Sequence, residues 1–287
     1  MNFAITATDR FLGVFEAFVT TGWKPLKLFT TPMVHPLSNQ QAVIAYAQKH
    51  NAAIQLSQMT ERDLAQLRDQ GCEALIVASY DWKIPDWRPY LKYAVNFHSS
   101  PLPEGRGPYP ASRAILENRD SWAVTCHRVT AKIDQGDILA VDSFALQTDE
   151  CHESIDLKIQ MSAKRLASKV AAHLTELWEQ AQPQAIGQYW GKSSLQQRVI
   201  DFQQPSAAIL RQIRAYGATE SLFNVNHNWF VVKRAVGWPE QHCLPAGQLA
   251  HVFNRTLVVS SNDGYIGLLD CEAVPPNFVA EIEAAMQ

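Results

Sequence analysis

The most informative part of the sequence is an apolar run that ends in a loop rich in proline and glycine. It reads Val95-Asn96-Phe97-His98-Ser99-Ser100-Pro101-Leu102-Pro103-Glu104-Gly105-Arg106-Gly107. Because side chains alternate across a strand, Asn96 and His98 leave one face near its carboxyl end. In an open parallel sheet that end borders the ligand crevice. An Asn or His can also simply cap a strand end, but this pair followed by a stiff, arginine-containing loop favours function.

Upstream and downstream of this stretch, short apolar runs alternate with segments of helical periodicity, as in a parallel α/β sheet. The predicted strands are 3–5, 26–29, 52–54, 74–78, 94–97, 122–130 and 138–146. The predicted helices are 12–19, 40–49, 62–69 and 153–178. We therefore predict a Rossmann-like, mostly parallel α/β domain over residues 1–182.

The composition changes after this domain. Residues 183–199 are polar and rich in glutamine, which predicts a linker. The rest of the chain, residues 200–287, has one helical segment and five short strand-like runs. They are a helix at 207–216 and strands at 221–225, 229–236, 247–252, 256–260 and 265–269. This spacing predicts a small β-rich domain, an OB-like barrel or a sandwich.

The overall composition excludes several classes of protein. The 287 residues carry 25 Lys+Arg and 28 Asp+Glu, a formal net charge of −3, so no global charge attracts nucleic acid or an anionic membrane. The five cysteines are scattered without a C-x-x-C pair, and no apolar run is long enough to span a bilayer. The N-terminus lacks the features of a secretory signal. We expect a reducing, cytoplasmic setting.

A second constellation follows the loop. Thr125-Cys126-His127-Arg128 precedes a turn in which Asp134 and Asp137 bracket Gly136. One aspartate is expected to form an Asx-turn, and the other is a candidate acid/base partner of the Asn/His pair. The pairs of Cys and His elsewhere lack the spacing of metal ligands, so no metal site is predicted.

These two constellations together resemble the 10-formyltetrahydrofolate-dependent formyltransferases, which include methionyl-tRNA and sugar N-formyltransferases. The pattern N-x-H-x-S-x-L-P-x-x-R-G and the later T-x-H and D-x-G-D-I-L occur in the family's order. Further similarity lies at 77–80, 84–85, 200–202 and 213–216, so the resemblance covers nearly the whole chain. Pro101 and Ala123 depart from the usual residues, and residues 7–11 lack the usual Gly-Thr-Pro opening, which affects the acceptor side of the crevice.

The resemblance implies transfer of a formyl group from N10 of the folate to an amine, without a covalent enzyme intermediate. It implies that Asn96 and His98 donate N–H groups to the oxyanion, while Asp134 accepts the amine proton and keeps His98 in its donating form. The candidate substrate- or loop-orienting residues are Ser100, Arg106 and His127. The candidate folate-binding residues are Ala78, Ser79, Tyr80, Ile84, Pro85, Ile133 and Asp137, the last assigned mainly to its turn.

Three hypotheses for the function differ in the amine acceptor or in whether the protein is catalytic. Methionyl-tRNA would require phosphate-binding basic surface. The stretch 30–39, where that family carries a basic loop, has no Lys or Arg. From residue 198 onward the chain has six Lys+Arg and eight Asp+Glu. We therefore expect a small-molecule acceptor: an amino sugar nucleotide, an amino acid or a natural-product intermediate. The alternatives are a methionyl-tRNA formyltransferase and a catalytically silent folate-binding protein.

Overall fold

The computed structural model describes residues 1–32 and 39–286, so most of the 30–39 stretch lies outside the described residues. Its larger sheet has seven strands, in the order β3-β2-β1-β4-β5-β6-β7. The strands are β1 (Asn2–Ala7), β2 (Lys24–Phe29), β3 (Ala53–Gln55), β4 (Ala74–Ala78), β5 (Tyr93–His98), β6 (Ser121–Arg128) and β7 (Ile138–Ala145). The first five pair in parallel, and β6 and β7 are antiparallel additions. The predicted mostly parallel α/β fold is confirmed.

Helices connect and follow these strands. They are α1 (Leu12–Thr20), α2 (Gln41–Lys49), α3 (Glu61–Asp69), α4 (Pro110–Leu116) and α5 (His152–Glu179). Residues 98–110, rich in proline and glycine, were predicted to form a loop, and α4 was not predicted. A proline is well tolerated at the first helical position, because its missing N–H has no partner there in any case, so Pro110 begins this helix.

The core of the larger sheet lies along its central strands. All five residues of β4 are buried, and so are five of the six residues of β1. Such continuous apolar runs are typical of parallel strands that are covered on both faces. Phe3 of β1 contacts the rings of Phe15, Phe18 and Trp23 at centroid separations of 5.6 to 5.9 Å. This packing holds the strands whose carboxyl ends carry the candidate site.

Contacts divide the chain into two compact units. The first comprises Met1–Pro110, Ser121–Ala145 and Leu157–Trp190, and the second comprises Ala111–Asp120, Leu146–Asp156 and the chain from Gly191 onward. The predicted domains 1–182 and 200–287 and the linker 183–199 stay predictions. Within the described residues, no helix combines the length and the apolar character needed to cross a membrane.

The second unit contains two antiparallel sheets, ordered β10-β13-β12-β11 and β14-β9-β8. Its strands are β8 (Ser221–Val225), β9 (Asn228–Val232), β10 (Arg234–Pro239), β11 (Leu249–Phe253), β12 (Thr256–Ser260), β13 (Gly264–Leu269) and β14 (Glu272–Ala273). Its further helices are α6 (Leu195–Arg198), α7 (Ser206–Tyr216) and α8 (Pro276–Met286). The β-rich C-terminal region is confirmed.

One predicted strand of this region was wrong in detail. The run 229–236 forms two strands, β9 and β10, which belong to different sheets. Lys233 stands between them. An apolar run shows where extended chain occurs, but the partner strands, distant in sequence, decide where it is divided.

Candidate active site

The side chains of Asn96 and His127 meet across two neighbouring strands. The antiparallel register of β5 and β6 places Asn96 opposite His127, and His98 opposite Thr125. The Nδ2 atom of Asn96 lies 3.0 Å from Nε2 of His127. The first motif and the T-x-H motif are therefore joined by the pairing of the sheet.

Asp134 lies at the centre of the candidate site. It belongs to the loop between β6 and β7 and is 9% exposed. Its Oδ2 atom accepts a hydrogen bond of 2.9 Å from the backbone N–H of Gly107. Its Oδ1 atom lies 3.4 Å from Asn96 Nδ2 and 3.6 Å from both His98 Nδ1 and His127 Nε2. Three candidate residues, two on β5 and one on β6, thus surround one carboxylate.

Backbone carbonyls determine which nitrogen of each histidine carries the proton. Nδ1 of His127 lies 2.8 Å from the carbonyl oxygen of Arg128, which can only accept, so Nδ1 is the donor. In neutral His127 the Nε2 atom then accepts a hydrogen bond from Asn96. In the same way, Nε2 of His98 donates to the carbonyl of Gly105 at 2.8 Å. Neutral His98 therefore presents the lone pair of Nδ1 to Asp134.

Burial and hydrogen bonding shift the pKa values of this cluster. Desolvation lowers the pKa of His98 and outweighs the opposing charge of Asp134, so the neutral imidazole is favoured. Burial alone would raise the pKa of Asp134. The adjacent rings of His127 and His98, which would donate to and attract the carboxylate when protonated, together with the N–H of Gly107 outweigh it, and the pKa of Asp134 lies below its ordinary value. The favoured state is therefore an ionised Asp134 beside a neutral His98.

Side chains from β6 hold the loop that follows β5. The hydroxyl of Thr125 donates to the carbonyl of Ser100 at 2.7 Å and accepts from the N–H of Leu102 at 3.2 Å. The hydroxyl of Ser100 donates to the carbonyl of Glu104 at 2.7 Å. The structure thus uses Ser100, a predicted orienting residue, within its own loop.

Two glycines allow the two loops to approach each other. Gly107 has φ +101°, and a Cβ atom there would lie 2.5 Å from the carbonyl oxygen of Trp190. A Cβ atom on Gly136 would lie 1.9 Å from the carbonyl oxygen of Arg128. Since neither position has room for a side chain, both glycines are required for the geometry around Asp134.

Arg106 is buried and contacts Gln184, a residue that neither sequence motif contains. Its Nε and Nη2 atoms donate to Oε1 of Gln184 at 3.1 and 2.8 Å, and Nη2 also donates to the carbonyl of Ala185 at 2.9 Å. Nε2 of Gln184 donates to the carbonyls of Asp134 and Gly136 at 3.0 and 2.6 Å. Gln184 lies in the predicted linker, and a lone glutamine in a polar stretch carries no signal of such contacts.

The predicted folate-binding residues fall into two groups. Five lie at the carboxyl end of β4: Ala78 is its last residue, and the other four follow it. Ala78 is buried, Ser79 adopts φ +95°, and the hydroxyl of Tyr80 accepts from the N–H of Met59 at 2.6 Å. Ile84 and Pro85 are partly buried, and Ile84 packs with Tyr80 against the same core cluster.

The second group, Ile133 and Asp137, lies in the loop of Asp134. The side chain of Ile133 is 63% exposed. Asp137 accepts a hydrogen bond from Nη1 of Arg128 at 3.0 Å, so its carboxylate makes an ion pair. The role of both residues in folate binding stays a prediction.

Comparison with known proteins agrees with this fold. Residues 34–171 match the formyl transferase family. The chain is 29% identical over 186 residues to the methionyl-tRNA formyltransferase of Anaplasma marginale, covering 63% of this chain and 60% of that protein. It therefore spans less than two thirds of the length of this relative.

Two solved structures share the fold at low sequence identity. One is the N-formyltransferase of Helicobacter canadensis in complex with folinic acid and dTDP-3-aminofucose, with a TM-score of 0.69 and 15% identity, covering 95% of this chain and 99% of that one. The other is HypX of Aquifex aeolicus in complex with tetrahydrofolic acid, with a TM-score of 0.64 and 16% identity, covering 96% of this chain and 46% of that one.

The seven-stranded sheet defines an α/β protein, and residues 34–171, just under half of the chain, carry the match to the formyl transferase family. The family match, the Anaplasma marginale relative and the shared fold together support a formyltransferase family for this chain. The matched region contains Asn96, His98 and Asp134, the residues that meet in the candidate site.

Proposed function

We propose that this chain is an N-formyltransferase that moves a formyl group from 10-formyltetrahydrofolate to the amine of a small-molecule acceptor. The observation that carries the proposal is the cluster around Asp134: a buried carboxylate within 3.6 Å of Asn96, His98 and His127. Formyl transfer to an amine needs a proton acceptor beside donors for a developing oxyanion, and this cluster supplies both kinds of group.

Asp134 is the proposed proton acceptor. The acceptor nitrogen attacks the formyl carbon, a new C–N bond forms, and the amine proton passes to the carboxylate. The tetrahedral species then breaks its bond to N10 of the folate, which needs a proton as it leaves. His98, with Nδ1 3.6 Å from Asp134, can receive the amine proton from the carboxylate and deliver it to N10. The proton is thereby conserved within the site.

Asn96 and His98 are the proposed donors to the oxyanion. Both protons of Asn96 Nδ2 have protein acceptors, His127 at 3.0 Å and Asp134 at 3.4 Å. Donation to the substrate therefore exchanges the longer contact, the one to Asp134, for the oxyanion. His98 donates Nε2–H to Gly105, so it offers a second N–H, on Nδ1, only once it is protonated. Once it has received the proton from Asp134, His98 combines charge with a donor while the tetrahedral species persists and before N10 takes the proton.

The folate donor is supported by the ligands bound in the two structural neighbours, folinic acid and tetrahydrofolic acid. We propose that Ala78, Ser79, Tyr80, Ile84 and Pro85 contribute the wall for the pterin, with Ile133 and Asp137 at the loop of Asp134. His127 is proposed as an orienting residue for Asn96, because its Nε2 atom accepts the Asn96 amide hydrogen bond.

The use of basic residues in the second unit supports a small acceptor over tRNA. Three of its six Lys and Arg from residue 198 onward form ion pairs: Lys233 with Glu220, Arg234 with Asp270 and Arg255 with Glu272.

Two further basic residues of the unit donate to backbone carbonyls. Arg198 donates to the carbonyl of Glu220, and Arg214 donates to those of Glu150 and Thr148. Each of these five has a neighbouring acceptor, and the carboxylates beside Lys233, Arg234 and Arg255 would repel a phosphate. The sugar nucleotide in the Helicobacter canadensis complex makes an amino sugar nucleotide a leading class of acceptor.

A methionyl-tRNA acceptor is the second candidate, favoured by the name of the curated relative. The test supplies 10-formyltetrahydrofolate that is labelled in its formyl group. It compares Met-tRNA with panels of amino sugar nucleotides and amino acids, and it measures the label in the formylated product. Formylation of a small amine supports the proposal, whereas rapid formylation of Met-tRNA overturns the choice of acceptor. Folate binding without transfer to any amine would indicate a silent binding protein and overturn the proposed activity.

A further inference from the structure

We propose that Gln184 is a positioning residue that, together with Arg106, fixes the backbone of the Asp134 loop and thereby the position of the candidate catalytic carboxylate. The catalytic consequence depends on the proposed function, whereas the structural part stands on the hydrogen bonds alone. Gln184 belongs to neither of the two motifs.

The contacts form a closed ring. Arg106 donates to Gln184, Gln184 donates to the carbonyl of Asp134, and the carboxylate of Asp134 accepts from the N–H of Gly107, the next residue after Arg106. Each loop is thus bound to the other by a backbone contact and by a side-chain contact. Displacing either loop breaks at least one bond of the ring.

The amide of glutamine is the group that this position requires. Its oxygen faces two N–H donors of Arg106, and its nitrogen faces two carbonyls, of Asp134 and Gly136. A carboxylate could accept from Arg106 but could not donate to the carbonyls, and it would repel them. This distinction gives a substitution that removes one half of the contacts and keeps the other.

The segment that carries Gln184 is itself anchored on both sides. Gln182 exchanges two backbone hydrogen bonds with Ile138, at 2.8 and 2.9 Å. The N–H of Trp190 donates to the carbonyl of Arg106 at 2.7 Å. Because the backbone is held on either side of Gln184, its side chain has a fixed position and can restrict the movement of the Asp134 loop.

The first test needs no substrate and measures amide hydrogen exchange at Gly107 by NMR. In Gln184→Glu we expect the Gly107 amide to exchange at least about tenfold faster than in the unmodified chain, because its acceptor Asp134 loses its support. Gln188→Glu adds the same charge at an exposed position of the same segment and should leave the exchange rate unchanged. Equal exchange in all three proteins would overturn the proposal.

The second test measures the kinetic consequence. We expect Gln184→Glu to lower kcat by about tenfold or more, with the KM for 10-formyltetrahydrofolate unchanged, and to move the acid limb of the pH profile to higher pH. The limb moves upward because Asp134 accepts the proton only when ionised, and a displaced Asp134 loses the N–H of Gly107. A purely structural role would reduce the amount of active protein without moving the limb.

A second variant, Gln184→Asn, keeps the amide but is shorter by one methylene, and so loses reach without gaining charge. Gln184→Asn should show the same accelerated exchange at Gly107. It therefore keeps the proposal testable where Gln184→Glu does not fold. The two proposals are separable. Fast exchange in the variants of a chain that formylates no amine would overturn the activity and keep the positioning role. An active chain whose Gln184 variants have normal exchange and a normal pH profile would overturn the positioning role and keep the proposed activity.

Discussion

Two buried carboxylates in the first unit, Asp63 and Asp134, have the same exposed fraction of 9% and opposite surroundings. Asp63 lies in the first turn of α3, where Lys27 Nζ lies 2.8 Å from its Oδ1 atom. Asp134 lies in a loop and, among the described residues, its partners are an amide, a backbone N–H and two imidazoles. Burial alone therefore does not distinguish a structural carboxylate from a reactive one.

The two carboxylates differ in the groups that donate hydrogen bonds to them. Asp63 has a permanent cation and the hydroxyl and N–H of Thr60, which form a capping box. Burial would raise its pKa, but the hydrogen bonds from Lys27, Thr60 and Gln55 prevail and lower it to about 2. Lys27 keeps its charge, whereas the side chains around Asp134 are an amide and two histidines, the residue type that serves most often in proton transfer. Asp134 can therefore exchange protons with its neighbours, and Asp63 is a fixed anion.

The largest expected effect separates the two residues by activity. Asp134→Asn should lower kcat for formyl transfer by about 10²–10⁴, because the amide is not a proton acceptor. Asp63→Asn should leave kcat nearly unchanged. Steady-state formyl transfer with both variants measures this, with circular dichroism as the control for folding. Near-normal kcat in Asp134→Asn would contradict the proposed role.

The next effect concerns the oxyanion. Asn96→Ala should lower kcat by about 10²–10³, the usual loss for one such donor. The substitution also frees Nε2 of His127, whose hydrogen bond from Asn96 is lost. Single-turnover rates separate this loss from a change in folate binding. A variant with raised KM and unchanged kcat would assign Asn96 to binding instead.

A smaller effect, on stability, should occur at Asp63. Asp63→Asn should lower the free energy of unfolding by about 1–3 kcal/mol, because it removes charged hydrogen bonds from a partly buried network. Urea unfolding measures the change. Asp69→Asn is the matched control, since Asp69 is an exposed residue at the end of α3 and its pair with Arg68 contributes little. Equal losses in both variants would show that the network around Asp63 adds nothing to stability.

The smallest effect is in the pH dependence of stability. Burial lowers the pKa of His98, so below about pH 6.5 the unfolded chain binds a proton that the folded chain does not, and stability falls with falling pH. The pKa of Asp63 is also lowered, to about 2, so its contribution is present above about pH 4 and is lost toward pH 2.

Substitutions should assign each of these pH ranges to its residue. His98→Gln should flatten the unfolding free energy only in the range below about pH 6.5, and Asp63→Asn only in the range below about pH 4. Urea unfolding across pH tests both. An unchanged slope near pH 6 in His98→Gln would contradict a buried neutral imidazole.

The sequence predicted most of the first unit because its strands are continuous apolar runs and its helices are periodic. It missed α4, where a proline in a proline-rich loop begins a helix, and it merged β9 with β10. It also identified the residue types of the candidate site through two spaced motifs. It could not rank Asp134 against Asp137 from the residues alone, since both flank one turn; the resemblance supplied that choice.

The sequence by itself determined which segments form the strands of the first unit, the shared face of Asn96 and His98 and the resemblance to the formyltransferases. The tertiary structure alone decided that Asp134 meets Asn96 and Gly107, that Asp137 pairs with Arg128, and that Gln184 joins Arg106 to the Asp134 loop. The physical reason is range. Alternation along a strand is a local property of the backbone, whereas these contacts join loops that are distant in sequence and meet only after the sheet has formed.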